Sequence, residues 1–152
     1  NYFLLNNFVA LEFILIILVY SLSTSSRGAG AVLSACAMLF VAYWLVDLIF
    51  WNDPKRINSI AAVAANTLLI VASVAILQSA TRDTTTRLAE RPIFWVATGV
   101  AVYAAGSLLV LGFSNELLKL GVEYFDVGWH INWSLIILSN LLFAKGFACR
   151  IR

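Results

Sequence analysis

The chain has 152 residues, 62% of them hydrophobic and only 12% charged, with a net charge of +2. A soluble domain of this size has one modest core and carries roughly 25% charged residues, so this much apolar surface excludes a water-soluble fold. The small positive balance forms no basic patch or stripe, which excludes nucleic-acid binding. Cys36 and Cys149, one inside an apolar run and one at the end of another, form neither a disulfide framework nor a CxxC metal site and read as small packing residues.

The fold class expected is an all-α transmembrane helical bundle, one domain over residues 1–152, with five spans each near the ~20 residues that a ~30 Å hydrocarbon core requires. The first span is residues 3–23. It lacks a basic leading region and an Ala-x-Ala site, and it exceeds the roughly 7 to 15 apolar residues of a signal peptide, so it reads as a membrane helix. The run begins within two residues of Asn1, as expected if a segment has been removed or the chain is part of a longer one. A Ser/Gly turn over residues 23–30 leads to the second span, 29–51. The turn Asn52-Asp53-Pro54-Lys55, with Pro at its natural second position, leads to the third, 57–79. Residues 81–91 are polar and in part helical, with Asp83 four residues before Arg87 in the favourable order. Pro92 suits the first turn of the fourth span, 92–114. In the next segment Glu116, Lys119, Glu123 and Asp126 recur at helical spacing, with Leu117, Leu118, Val122 and Phe125 opposite. That pattern predicts an interfacial helix over about 115–127, either a strut or a lid over an outer cavity. The fifth span is 129–148.

Lys and Arg counting orients the bundle. Arg27, Arg82, Arg87, Arg91, Lys145, Arg150 and Arg152 fall on one side, against Lys55, Arg56 and Lys119 on the other, which predicts a cytoplasmic C-terminus. Ala97, Ala101 and Ala105 on the fourth span, and Ala61 with Ala65 on the third, read as small-residue faces that let backbones approach where lipid supplies no hydrophobic drive. Trp51, Trp95, Trp129 and Trp133 stand near span ends as interfacial anchors.

Function can be written only in the polar residues inside the spans: Glu12, Asp47, Asn66, Tyr103, Ser107, Asn132 and Asn140. A charged group near mid-membrane costs roughly 2.5 to 3.5 kcal/mol on insertion scales, so these side chains are expected to face the bundle interior and find partners. One reading has them converge on a polar pocket in the outer half. The other has them serve as interhelical hydrogen-bond glue, worth about 0.6 kcal/mol each, with both carboxyls protonated. His130 is the only histidine and cannot build a His-cluster metal site or a two-His haem site, and Lys145 near a span end reads as a snorkelling side chain. Asn132-Trp133-Ser134 matches the glycosylation pattern but falls too close to the bilayer to be one. No HExxH, Gly-x-Ser-x-Gly or phosphate-binding glycine loop occurs, so the reading is non-enzymatic, with no cofactor and no metal.

Asn6-Asn7-Phe8 with Glu12-Phe13, then Pro92-Ile93-Phe94-Trp95 with Gly99, Tyr103 and Gly106, then Asn132, Asn140 and Phe143-Ala144, resemble a family of small uncharacterised integral membrane proteins of Bacteroidota. That resemblance implies about two further spans ahead of this region, making the chain the last five of seven, and it carries no assigned activity.

Three functions fit these observations. The first is an interaction or sensory module that binds an apolar or amphipathic ligand in an outer pocket and signals through other membrane proteins. The second is an accessory subunit of a larger membrane complex. The third is a small-molecule transporter, disfavoured by the absence of mid-span proline and of an internal repeat. Partners in all three are membrane lipids and other membrane proteins.

Overall fold

The computed structural model describes residues 2–24, 27–50, 59–82 and 87–149. It contains five helices: α1 (Tyr2–Ser23), α2 (Arg27–Phe50), α3 (Ser59–Arg82), α4 (Pro92–Leu120) and α5 (Val122–Ala148), with one 3₁₀ turn at Leu88–Glu90 ahead of α4. No strand occurs among the described residues. Four helices are long and apolar enough to cross a membrane, over Gly30–Phe50, Ile60–Thr81, Pro92–Leu120 and Val122–Ala148; in α1 the apolar stretch of described side chains is Asn7–Ser23. The turn at residues 52–55, the Asp83 to Arg87 pairing, Trp51 and the basic residues Lys55, Arg56, Arg150 and Arg152 lie outside the described residues.

α4 is the central helix, packed between α3 and α5, while α1 lies against α2 and α3. The α3 seam follows helical periodicity through Ala62, Ala65, Leu69, Ala72 and Ile76, all buried. On α4 the buried positions recur every seventh residue, as Ala97, Ala104 and Leu111 and again as Val100, Ser107 and Ser114. The Ala97, Ala101, Ala105 face expected from four-residue spacing is not the seam: Ala97 is buried, Ala101 half-buried and Ala105 exposed. Each four-residue step advances about 40° round a helix of 3.6 residues per turn, whereas seven residues return to within about 20° of the same direction. Glycines do the close packing instead. A Cβ on Gly99 would meet the Phe143 ring at 2.6 Å and the Ser139 carbonyl oxygen at 3.2 Å, and one on Gly146 would meet the Pro92 carbonyl oxygen at 3.1 Å.

Pro92 occupies the first turn of α4, where its missing N–H removes no helical bond. The start of α4 is tied down by Trp95, whose indole N–H donates to the Ala89 carbonyl at 2.8 Å, and the end of α3 by Arg91, whose guanidinium donates to the Ala80 carbonyl at 2.8 Å. A cation on the last carbonyls of a helix satisfies orphan acceptors and complements the dipole.

The interfacial helix expected over 115–127 is not a separate element. α4 continues to Leu120, Gly121 breaks the chain with φ 142° and ψ 154°, and α5 starts at Val122. Only glycine enters that backbone region without strain, so the charge stripe is cut in two. Glu116 and Lys119, paired at 2.7 Å, end α4, while Glu123 and Asp126 open α5. At 1.5 Å per residue the 29 residues of α4 and 27 of α5 run about 43 and 40 Å, beyond a ~30 Å hydrocarbon core, and the charged ends are the excess.

Candidate functional site

α5 packs along α4, while α1 packs along α2 and α3 and reaches α4 through the Glu12–Tyr103 hydrogen bond; α1 and α5 make no extended contact among the described residues, which leaves a groove between them. Its volume is about 400 Å³, and its lining comes from α1 (Phe8, Leu11, Glu12, Leu15, Ile16), α4 (Tyr103) and α5 (Ile136, Ser139, Asn140, Phe143). Leu11 and Leu15 keep 56% and 52% of their surface exposed, so the groove is open along its α1 edge.

Glu12 is brought to this groove by α1 periodicity. Phe13, Ile17 and Tyr20 turn into the core at 0%, 2% and 0% exposure, and Glu12 sits at the margin of that face, half-buried. There it accepts a hydrogen bond from Tyr103: phenolic Oη to Glu12 Oε2 is 2.6 Å. One turn further along α4, Ser107 lies within reach of Tyr103, and its hydroxyl donates to Asn132 Oδ1 on α5 at 3.0 Å. Ser107 and Asn132 are 0% and 5% exposed. Glu12, Tyr103, Ser107 and Asn132 thus form one polar line across three helices.

The remaining expected site residues divide. Asn140 lines the groove but is exposed, its amide N–H₂ donating to the Ile136 carbonyl at 2.9 Å, which turns its Oδ1 away from its own helix backbone. Asn66 does not belong to the site. It is buried on α3 and donates to the Ala62 carbonyl at 2.8 Å, a bond within one helix that needs no pocket. Asp47 is half-buried on α2, a helix that contributes nothing to the groove. Convergence fails for these two because helix periodicity places a residue on a face, and only the packing of whole helices decides which faces meet.

Sequence reasoning missed two features. The apolar walls Phe8, Leu11, Leu15, Ile136 and Phe143 carry no local mark that separates them from lipid-facing residues. A third inter-helix pair, Tyr20 with Ser73 at 2.8 Å, had a usable signal, since a buried tyrosine hydroxyl requires a partner.

The site offers acceptors and apolar walls. Serine hydroxyls near it are committed, Ser107 to an amide and Ser139 to the Leu135 carbonyl at 2.8 Å, and neither has a base beside it. His130 is exposed and bonded through Nδ1 to the Asp126 carbonyl at 2.6 Å, away from the groove lining. Among the described residues no three His, Cys, Asp or Glu side chains gather as a metal site.

Comparisons with protein-family models, curated proteins and solved structures find no match. The functional argument therefore rests on the groove itself.

Proposed function

We propose that this is a non-enzymatic integral membrane protein that acts as an interaction or sensory module, receiving a small amphipathic ligand in the α1/α4/α5 groove. The observation that carries the proposal is a hydrogen-bonded carboxylate, Glu12 with Tyr103 at 2.6 Å, on the wall of an otherwise apolar groove of about 400 Å³. That volume falls within the roughly 300–1,000 Å³ of small-molecule sites, and a few polar groups among apolar walls is their usual chemistry. An inter-helix hydrogen bond that served only as glue had no need of an open groove beside it. In this reading α1 is a fifth span, because a 22-residue apolar helix is about 33 Å long, and the C-terminus faces the cytoplasm.

The test is native mass spectrometry of the protein extracted from its own membrane. A bound species of a few hundred daltons is expected, and it should be lost in Leu15→Trp, which fills the groove. A parent protein without any such species overturns the reading.

A second reading, accessory subunit of a larger membrane complex, is supported by α2. Phe40 is its one buried hydrophobic residue among the described ones, while Met38, Leu39, Ile49 and Phe50 are each at least 67% exposed. Constant co-purification with the same partner chains through mild-detergent extraction favours this reading over the first.

A further inference from the structure

From the hydrogen-bond directions around the groove, we infer that its ligand is a cationic amphiphile: a single apolar chain ending in a primary or secondary ammonium group, with no phosphate. The inference rests on the proposed ligand-binding role and adds the chemistry of the head. Every hydroxyl on the groove wall has its proton directed elsewhere. Tyr103 donates to Glu12, and Ser139 donates to the Leu135 carbonyl. Asn140 donates one Nδ2 N–H to the Ile136 carbonyl, which settles the amide orientation and leaves Oδ1 as an acceptor and the second N–H as the one uncommitted side-chain donor among the described lining residues. Glu12 accepts the Tyr103 hydrogen bond on Oε2, leaving Oε1 without a hydrogen-bond partner among the described residues. The wall is thus rich in acceptors, and the complementary head is rich in donors.

Charge selects among donors. Among the described residues no Lys, Arg or His lines the groove beside Glu12, so a cation that pairs with its free Oε1 must arrive with the ligand. An isolated carboxylate among Leu11, Leu15, Ile16, Ile136 and Phe143 is costly, and an ammonium within hydrogen-bond distance offsets that cost for both ions. The absence of a basic residue from the described lining also disfavours a zwitterionic phospholipid head, whose phosphate would meet no cation there. A long-chain alcohol satisfies Oε1 but leaves the charge, and a fatty acid adds a second carboxyl to the first.

The test is photolabelling of the full chain in phosphatidylcholine nanodiscs with a diazirine-bearing dodecylamine, the modified residues mapped by mass spectrometry. Labelling is expected on the α1 and α5 walls, and excess dodecylamine should suppress it at least tenfold more effectively than dodecanol, dodecanoate or a lyso-phosphatidylethanolamine. Glu12→Gln should cut labelling at least tenfold while its size-exclusion profile and helical content match the parent. Leu15→Trp, which leaves the carboxylate in place, should abolish labelling by filling the groove. Equal competition by dodecanol, or full labelling of Glu12→Gln, overturns the ammonium assignment and leaves the amphiphile groove standing. Competition by the lyso-phospholipid shifts the source to a lipid headgroup and overturns the phosphate-free head. Labelling that never reaches the groove walls overturns both readings.

Discussion

The hydroxyls of Tyr20 on α1 and Ser73 on α3 lie 2.8 Å apart, with both residues 0% exposed. This bond anchors α1 to the α3/α4 core at one end, while Glu12, two turns earlier, reaches Tyr103 on α4. α1 is therefore held at two points along one face, and the groove opens beside the second.

Tyr20→Phe should cost about 0.6 kcal/mol, the average worth of an inter-helix hydrogen bond in a bilayer, because the ring stays in place and Ser73 can turn to its own helix backbone. Tyr20→Ala should cost about 3–5 kcal/mol, since it also empties the space of a fully buried ring. Unfolding in mixed micelles at increasing denaturing detergent measures both. Equal losses for the two variants would show that the hydroxyl, not the ring, holds α1.

Gly99→Ala should destabilise the protein by about 1–3 kcal/mol through overpacking, as the new methyl meets the Phe143 ring at 2.6 Å and the Ser139 carbonyl oxygen at 3.2 Å. Phe143 is also a groove wall, so the ring is expected to yield into the groove. The variant should weaken ligand retention in native mass spectrometry, and retention at the parent level would show that the ring yields in another direction.

Gly121→Ala places a side chain at φ 142° and ψ 154°, a region that is essentially glycine-only, and should cost about 1–3 kcal/mol. Gly30→Ala serves as the control, because its new Cβ meets nothing nearer than a Thr24 methyl at 3.4 Å. Similar thermal midpoints for the two variants would remove the break at Gly121 as the reason that α4 and α5 separate there.

Orientation is tested by reporter fusions after Arg152. The excess of Arg and Lys on that side predicts activity of a cytoplasm-dependent reporter and silence of one that works only in the periplasm. The reverse pattern would move the Glu116 to Asp126 charges to the cytoplasmic side and refute the assigned topology.

The chain's amino-acid order was sufficient for the five helical runs, but not for the boundary at Gly121, where the helix expected over 115–127 is divided between α4 and α5. Apolar runs of membrane-spanning length, punctuated by Pro92 and by polar or Gly-rich connections, dictate helices because each backbone group in lipid must be satisfied within its own segment. The same order nominated Glu12, Tyr103, Ser107, Asn132 and Asn140, since a polar group in an apolar span declares itself by its cost. Tertiary packing decided which of them meet. Glu12 and Tyr103 are 91 positions apart, and their contact depends on how α1 reaches α4, whereas Asn66 settles its amide on Ala62 one turn away. The packing also decided the groove, because Leu15 and Ile136 look like any lipid-facing residue until α1 and α5 are set beside α4 without closing on each other. Local propensity acts over a few residues, while the space between helices is set by residues such as Gly99 and Phe143 that come together only after the spans assemble.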